Sequence, residues 1–423
     1  MIKQFKKIFY FPVAYYFKFW ANIRLKRWQP KIVVVTGSSG KTTLLHLLEA
    51  QLGTRARYSH KANSAYGIAF DILSLMRKKL TPSEWPGLII KAPFSALKKP
   101  PVEKIYVVEA DCDRPGEGRF LAPWLRPEIT IWLSVDRSHS QNFTSLVPGK
   151  FPRVESAIAY EFGYFPADTS QLVIVNGDNS FITNELKRVP TKTKIEKITS
   201  VGLTSYHPTA TRTEFSSARE KFSVPALLPR DAYQTIQVAI TLTHYLQLKF
   251  NPDFTNFIPP PGRSSIFRGI KNTTLLDSSY NATLAGMRVM LDLFKVYPAE
   301  KKWAVLGDIL EQGTLERDEH ERLAELIAPL KLECLILIGP RISAYTYPKL
   351  KALVPALAVE KFIMPREGLD YLEQKLKGNE TILFKGARFL EGIIEHLLLD
   401  KRDTEKLCRR EKIWQTRRRD WNL

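Results

Sequence analysis

The stretch VVVTGSSGKTT, Val33 to Thr43, sets two glycines, several hydroxyls and a lysine directly ahead of an apolar run with helical spacing. That combination binds phosphate. Gly37 and Gly40 let the backbone N–H groups around Ser38 and Ser39 wrap phosphate oxygens at a helix amino terminus. Lys41 can reach β- and γ-phosphates, and the Thr42 hydroxyl, with Thr43 beside it, can ligate Mg²⁺. The commonest form of this loop carries a glycine where Val35 stands, so the motif here is a shortened TGxxGKTT. The chemistry in prospect is use of a nucleoside triphosphate with Mg²⁺.

The loop needs a strand before it and a helix after it. KIVVVTG reads as a buried strand and KTTLLHLLEAQL as a helix. EKIYVVEAD, EITIWLSVD and SQLVIVNGD are three further strands, each ending in a carboxylate-bearing turn. Strands interleaved with helices predict a mainly parallel sheet, whose ligands sit at the carboxyl ends of the strands. The Pro-rich NPDFTNFIPPPGR, residues 251–263, is the best boundary in the chain. After it TTLLDSSYNA, KKWAVLGDILEQG, LECLILIGP and TILFKGARFLEGIIEHLL restart the alternation. The expected fold class is α/β: a central P-loop-type sheet domain over 31–258, followed by a smaller Rossmann-like α/β domain over 262–400.

Composition sets the outer limits. With 423 residues, 44% of them hydrophobic, the chain can bury two or more cores. Cys112, Cys334 and Cys408 stand far apart and read as reduced thiols of a cytoplasmic protein, with no zinc or disulfide spacing. The net charge is +20, but residues 1–31 and 400–423 supply 12 of those charges, and no nucleic-acid-binding pattern accompanies them. Nucleic acid is therefore excluded as the main ligand, and residues 401–423 read as a basic tail. Residues 1–30 form a basic, aromatic segment whose apolar run is broken by Pro12 and Lys18, too short to span a membrane. Two readings stay open for it: a helix in peripheral contact with the inner face of an anionic membrane, or a helix whose aromatics cover the protein body.

The shortened loop resembles that of the Mur ligase superfamily, the ATP-dependent amide-forming enzymes of cell-wall synthesis. Further motifs follow in the family's order: VVEADCDRPGE, PEITIWLSVDRSH, VIVNGD, then Gly262-Arg263, LLDSSYNA, VLGDILEQG, His320 and LFKGAR. DSxYNA with GDxLExG resembles the MurF branch in particular. The resemblance covers roughly residues 31–400 and implies transfer of the ATP γ-phosphate to a substrate carboxylate, followed by attack of an amine on the acyl phosphate. It implies Lys41, Glu109, His139 and Arg263 as catalytic residues, with Thr42, Glu109 and His139 holding Mg²⁺. Arg263, Asp277 and Asn281 would join the loop in holding ATP, with Tyr280 beside them. Asn63, Lys385 and Arg388 would contact the substrates, a muramoyl-peptide-like carboxylate and an amino acid or dipeptide.

Several positions depart from the family. The P-loop begins near residue 36, which leaves no room before it for the family's UDP-holding domain. The family's metal-bridging lysine is missing from ESAIAYEFGYF, where Glu161 is the candidate substitute. The adenine segment is represented by PRDAYQT, with Gln234 as its amide, and Ser278 and Ala387 replace an Asp and a Ser of the MurF pattern. Two other readings compete with a MurF-like ligase: a ligase making a poly-amino-acid or γ-glutamyl amide, and a degenerate ATP-binding scaffold.

Overall fold

The structure, a computed structural model, describes every residue except 1–8, 61, 78–81, 219, 388 and 420. Arg388 and the first eight residues of the amino-terminal segment therefore lie outside the described residues. The chain divides into two compact units: Met1–Asp136, Asn142–Thr199 and Gln234–Phe250 form the first, and Arg137–Gln141, Ser200–Tyr233 and Asn251–Leu423 the second.

In the first unit β1 (Lys31–Thr36), β2 (Ala56–Tyr58), β3 (Ile105–Ala110), β4 (Ile129–Trp132), β5 (Leu172–Asn176) and β6 (Lys194–Ile198) build one sheet. Its order is β2-β3-β1-β4-β5-β6 and every pairing is parallel. The chain runs from β1 out to β2, returns to β3 beside β1, then crosses to β4 on the other side. That reversal places a crevice at the carboxyl end of β1, where such sheets bind ligands. Val33, Val34 and Val35 are wholly buried. Continuous apolar runs of this kind belong to strands covered on both faces.

Helix α1 (Tyr10–Trp28) precedes β1, and α2 (Lys41–Leu52) follows the phosphate loop. Next come α3 (Ala65–Leu73), α4 (Trp85–Leu97), α5 (Glu117–Leu125), α6 (Val154–Phe162) and α7 (Ala232–Tyr245). Tyr10, Ala14, Phe17, Ala21, Arg24 and Trp28 recur at helical spacing and are the buried stripe of α1. Phe17 meets Phe70 of α3 edge-on at 4.6 Å and Trp85 of α4 at 6.1 Å. One face of the aromatic segment thus covers the body, as the second of the two sequence readings requires. Its arginines have local work as well. Arg24 donates to the carbonyls of Ile72 (3.0 Å) and Lys99 (3.1 Å), and Arg27 to Ala96 (3.0 Å) and Lys98 (3.2 Å). These are carbonyls at the ends of α3 and α4, which no further helical N–H can reach. No described helix is long and apolar enough to cross a membrane.

The second unit holds two sheets. β7 (Leu203–Pro208), β8 (Thr213–Ser217) and β9 (Lys221–Val224) are antiparallel, an element the sequence reading did not anticipate. β10 (Ser265–Arg268), β11 (Thr274–Ser278), β12 (Lys301–Gly307), β13 (Cys334–Ile338), β14 (Val359–Phe362) and β15 (Glu380–Lys385) form the larger sheet in the order β10-β11-β15-β12-β13-β14. Only β10 runs antiparallel. Alternate residues divide between two cores. Leu276, Leu306, Leu337 and Leu383 face the side with α8 (Leu284–Val296) and α9 (Glu316–Ile327). Leu275, Val305, Ile336 and Phe384 face the side with α10 (Pro365–Lys375) and α11 (Leu390–Leu397). The two-layered covering makes this the expected second α/β unit.

The basic tail ends in α12 (Lys412–Arg419) and folds back onto α11. Arg409 pairs with the fully buried Glu391 at 3.2 Å, and Arg410 with Glu395 at 2.7 Å. Much of the tail's charge is answered within the unit.

Replacing Arg24 with Ala leaves the Ile72 and Lys99 carbonyls without this donor and should lower stability by about 2 kcal/mol, whereas Lys26→Ala, on the exposed side of α1, should leave it unchanged. Chemical denaturation of the two variants checks this.

Candidate functional site: a phosphate loop and two strand-end clusters

Gly37 has φ 126°, and a Cβ there would lie 2.8 Å from the backbone N and 2.9 Å from the backbone O of Ser134. Only glycine fits. The close approach locks the loop to the segment after β4: Ser38 N–H donates to the Ser134 carbonyl at 3.0 Å, and Ser39 N–H to its Oγ at 2.8 Å. Ser38 Oγ in turn accepts from Asp136 N–H at 3.0 Å. Gly40, with φ 86°, opens α2. Lys41, Thr42 and Thr43 occupy the first turn, whose N–H groups have no helical carbonyl to meet and face any bound anion.

Lys41 is buried, its Nζ 2.8 Å from Asp111 Oδ2, and it donates to the Gly37 carbonyl as well. Burial works against its charge, but Asp111 and Glu109 outweigh that and hold its pKa above the ordinary lysine value. Glu109, at the end of β3, accepts from Thr42 Oγ1 at 3.0 Å, and its N–H donates to Ser59 Oγ at 2.8 Å. Asn63 adjoins this group, its carbonyl accepting from Asp111 N–H at 2.8 Å. The first unit therefore brings Gly37, Ser38, Ser39, Gly40, Lys41, Thr42, Thr43, Glu109 and Asn63 to one end of its sheet. Asp111 is the member that sequence reasoning missed. The available signal was its spacing: two residues after Glu109, it continues the same side of an extended chain.

Thr42 and Glu109 fit Mg²⁺. They offer a hydroxyl and a carboxylate oxygen 3.0 Å apart. Neighbouring ligands of an octahedral ion at about 2.1 Å stand about 3 Å apart. Glu161, by contrast, does not take the place of the family's lysine. Its Oε1 accepts from Gly116 N–H at 2.9 Å and its Oε2 from Gly118 N–H at 3.1 Å, so both oxygens tie down the turn that starts α5. Glu117 on that turn is wholly buried and accepts from Tyr10 Oη and from Ala65 N–H. Burial and the neighbouring Asp113 push its pKa up to about 7. At the end of β5, Gln234 Nε2 donates to Asp178 Oδ2 at 2.6 Å, so the amide expected near adenine is placed at a strand end.

His139 belongs by its contacts to the second unit. It takes a left-handed conformation, φ 56°, and its Nδ1 lies 2.5 Å from Glu311 Oε2. Arg137 Nη1 donates to Glu319 at 2.8 Å, and Gln141 N–H to the Glu311 carbonyl at 3.2 Å. The GDILEQG turn that holds Glu311 is itself fixed. Asp308 Oδ1 accepts from Ile342 N–H at 2.9 Å, and His320 Nε2 from Ile309 N–H at 3.2 Å. His320 is wholly buried, and burial lowers its pKa, so it acts as a neutral brace and not as a surface residue.

The second cluster lies where β11 and β15 end. Asp277 is wholly buried: Oδ1 accepts from Ser279 N–H at 2.9 Å, while Oδ2 has no partner among the described residues. Lys385, opposite Ser278 on the adjacent strand, donates to the Asn281 carbonyl at 2.8 Å. Although part of Lys385 meets water, protein crowds it closely. That burial, then the charge of Arg263, pushes its pKa down to about 7 against the opposing pull of Asp277. Arg263 lies over the Tyr280 ring at 4.6 Å, and no carboxylate pairs with it among the described residues. Arg409 of the tail, unsuspected from the sequence, donates to the carbonyls of Ser279 and Tyr280. Arg263, Asp277, Asn281 and Lys385 are thus gathered in one place, with two cations over one buried acid.

The chain resembles known proteins over most of its length. The Mur ligase, glutamate ligase domain matches residues 262–388. The chain is 23% identical over 407 residues to the UDP-N-acetylmuramoyl-tripeptide–D-alanyl-D-alanine ligase of Bacillus subtilis, covering 89% of this chain and 78% of that protein. It is 23% identical over 373 residues to the Escherichia coli ligase of the same name, covering 85% and 74%. Its fold matches the crystal structure of MurF ligase from Thermotoga maritima in complex with ADP with a TM-score of 0.72 at 19% identity, over 96% of this chain and 84% of that one. A phosphate loop at the sheet switch point, followed by the matched ligase domain, makes the chain similar to the Mur ligases, and to MurF among them.

Proposed function

We propose that this ATP-dependent peptide ligase of the Mur type joins a muramoyl-peptide-like carboxylate to the amine of an amino acid or a D-alanyl-D-alanine-type dipeptide. The observation that carries the reading is the Lys41, Thr42, Glu109 and Asp111 group closed around the amino terminus of α2. A carboxylate oxygen of the acceptor attacks the γ-phosphorus, and the bond to the ADP oxygen breaks to leave an acyl phosphate. The amine nitrogen then attacks the carbonyl carbon, phosphate leaves, and the amine proton passes to solvent. Such chemistry asks the protein mainly to position the reactants and stabilise developing charge.

Thr42 and Glu109, with His139 as third ligand, would hold Mg²⁺, which when bound neutralises phosphate charge. Lys41 would exchange Asp111 for phosphate oxygens. Arg263 would meet the same phosphates, and the unpartnered Asp277 oxygen would accept from the ribose, with Asn281 beside it. Asn63 would face the acceptor. Lys385 and Arg388 would bind the carboxylate of the incoming amino acid or dipeptide. The reading places the enzyme in the cytoplasm, in peripheral contact with the inner face of the membrane.

Phosphate release should require ATP, Mg²⁺, an acceptor such as a UDP-muramoyl tripeptide, and D-alanyl-D-alanine together, and Lys41→Ala should reduce it at least about 100-fold. Release that ignores either substrate would sink the reading.

A pH dependence follows from Lys385, which is protonated below about 7 and neutral above. Calorimetric affinity for the dipeptide should weaken by about ten-fold for each pH unit above that value. Lys385→Met should bind weakly at every pH, and a wild-type affinity that is flat between pH 6 and 8.5 would remove Lys385 from this role.

A further inference from the structure

Helix α4 turns one face inward and leaves the other uncovered. Leu88, Ala92, Ser95 and Ala96 are its buried positions. Ile90, Phe94 and Leu97, four and then three residues apart, form one stripe on the opposite side and are 65%, 68% and 68% exposed. Helix α1 lies alongside: Tyr16 Oη donates to the Ile89 carbonyl at 2.9 Å, and Arg27 to those of Ala96 and Lys98. On the outward side of α1, Phe19 is 60% exposed. Large apolar side chains grouped this way on neighbouring helices are uncommon on a surface meant only for water.

The charges around the stripe have a single sign. Lys91 and Lys98, seven residues apart, run along one flank of α4, and Lys99 follows. Lys26 lies on the exposed side of α1. Residues 85–102 and 10–28 contain no Asp or Glu. We propose that the outer faces of α1 and α4 are a docking surface for an anionic lipid bilayer, with Ile90, Phe94 and Leu97 entering the acyl boundary and the lysines meeting headgroups. Uniform positive charge beside an apolar ridge complements a plane of negative headgroups over hydrocarbon. A helix of 13 residues is about 20 Å long and lies flat on such a plane. The amino-terminal helix alone drew attention in the sequence because of its aromatics, yet its buried stripe is spent on the body, and the more exposed apolar face is on α4.

This deepens the peripheral membrane contact of the proposed function and does not depend on the ligase chemistry. The full-length protein should co-sediment with vesicles of equal phosphatidylglycerol and phosphatidylcholine but not with phosphatidylcholine alone. The triple variant I90S/F94S/L97S and the double variant K91E/K98E should each lose binding by about ten-fold or more, with ATP affinity unchanged. Unchanged ATP affinity shows that the variants are folded and separates this surface from the active site. The proposal is overturned if the wild type ignores anionic vesicles, or if the triple variant sediments with them as the wild type does. It is equally overturned if sedimentation velocity finds a dimer that the triple variant abolishes while vesicles bind nothing, since a second copy would then cover the face.

Discussion

A buried lysine at the start of a helix is electrostatically misplaced, and the first unit is organised around that problem. The amino end of α2 carries the positive pole of the helix, so Lys41 meets repulsion there as well as the cost of desolvation. Asp111 and Glu109 answer both, and they can do so only because β3 lies beside β1 in parallel register, Val35 opposite Glu109 and Thr36 opposite Ala110. Gly37 must then turn hard against Ser134 to bring the lysine to the strand ends. A phosphate group would offer negative charge at the same place, so the Lys41–Asp111 contact is an ion pair open to exchange, not a rigid lock.

Much of this was legible in the sequence because short-range rules govern it. Val33 to Thr43 states a strand, a glycine turn and a helix start within eleven residues, and the helix runs over Lys41–Leu52 as its apolar spacing implies. The β-branched runs ending in Glu109, Asp136 and Asp178 became neighbouring parallel strands or their end turns. What escaped depends on partners distant in the chain. Asp111 is separated from Lys41 by 70 positions, and no local pattern says which strand-end acid will meet the lysine. Glu161 offered a carboxylate in the right helix, but the N–H groups of residues 116 and 118 had already claimed it. The antiparallel strands β7 to β9 were missed because sequences such as LTSYHP are polar and half-exposed, with little hydrophobic period to read.

The charge of the chain shows the same division between what is local and what is not. A basic excess at both ends invites a search for an acidic partner. The structure instead sets Arg24 and Arg27 against the carbonyl ends of two helices, and Arg409, Arg410 and Arg418 against Glu391 and Glu395. These arginines are structural cations. The lysines differ: Lys26, Lys91, Lys98 and Lys99 stay exposed, and they surround apolar side chains. Guanidinium groups suit fixed, forked hydrogen bonding, whereas ammonium groups on flexible stems suit a surface that must meet a diffuse charge.

The two clusters have opposite electrostatic character. Around Lys41 the first unit sets Glu109, Asp111 and Asp113, an excess of acid. Around Asp277 the second unit sets Arg263 and Lys385, while Arg409 close by is paired with the buried Glu391. The first suits a metal triphosphate; the second suits a carboxylate or a phosphate oxygen. A kinase would need only the first. An amide ligase must also hold an anionic amine donor while the leaving phosphate develops charge, and the second cluster has the composition for that. The lysine in it is poised rather than permanently charged because burial, and then the charge of Arg263 beside it, disfavour its proton, so an arriving anion does more than neutralise the pair: it restores the proton that crowding had made costly.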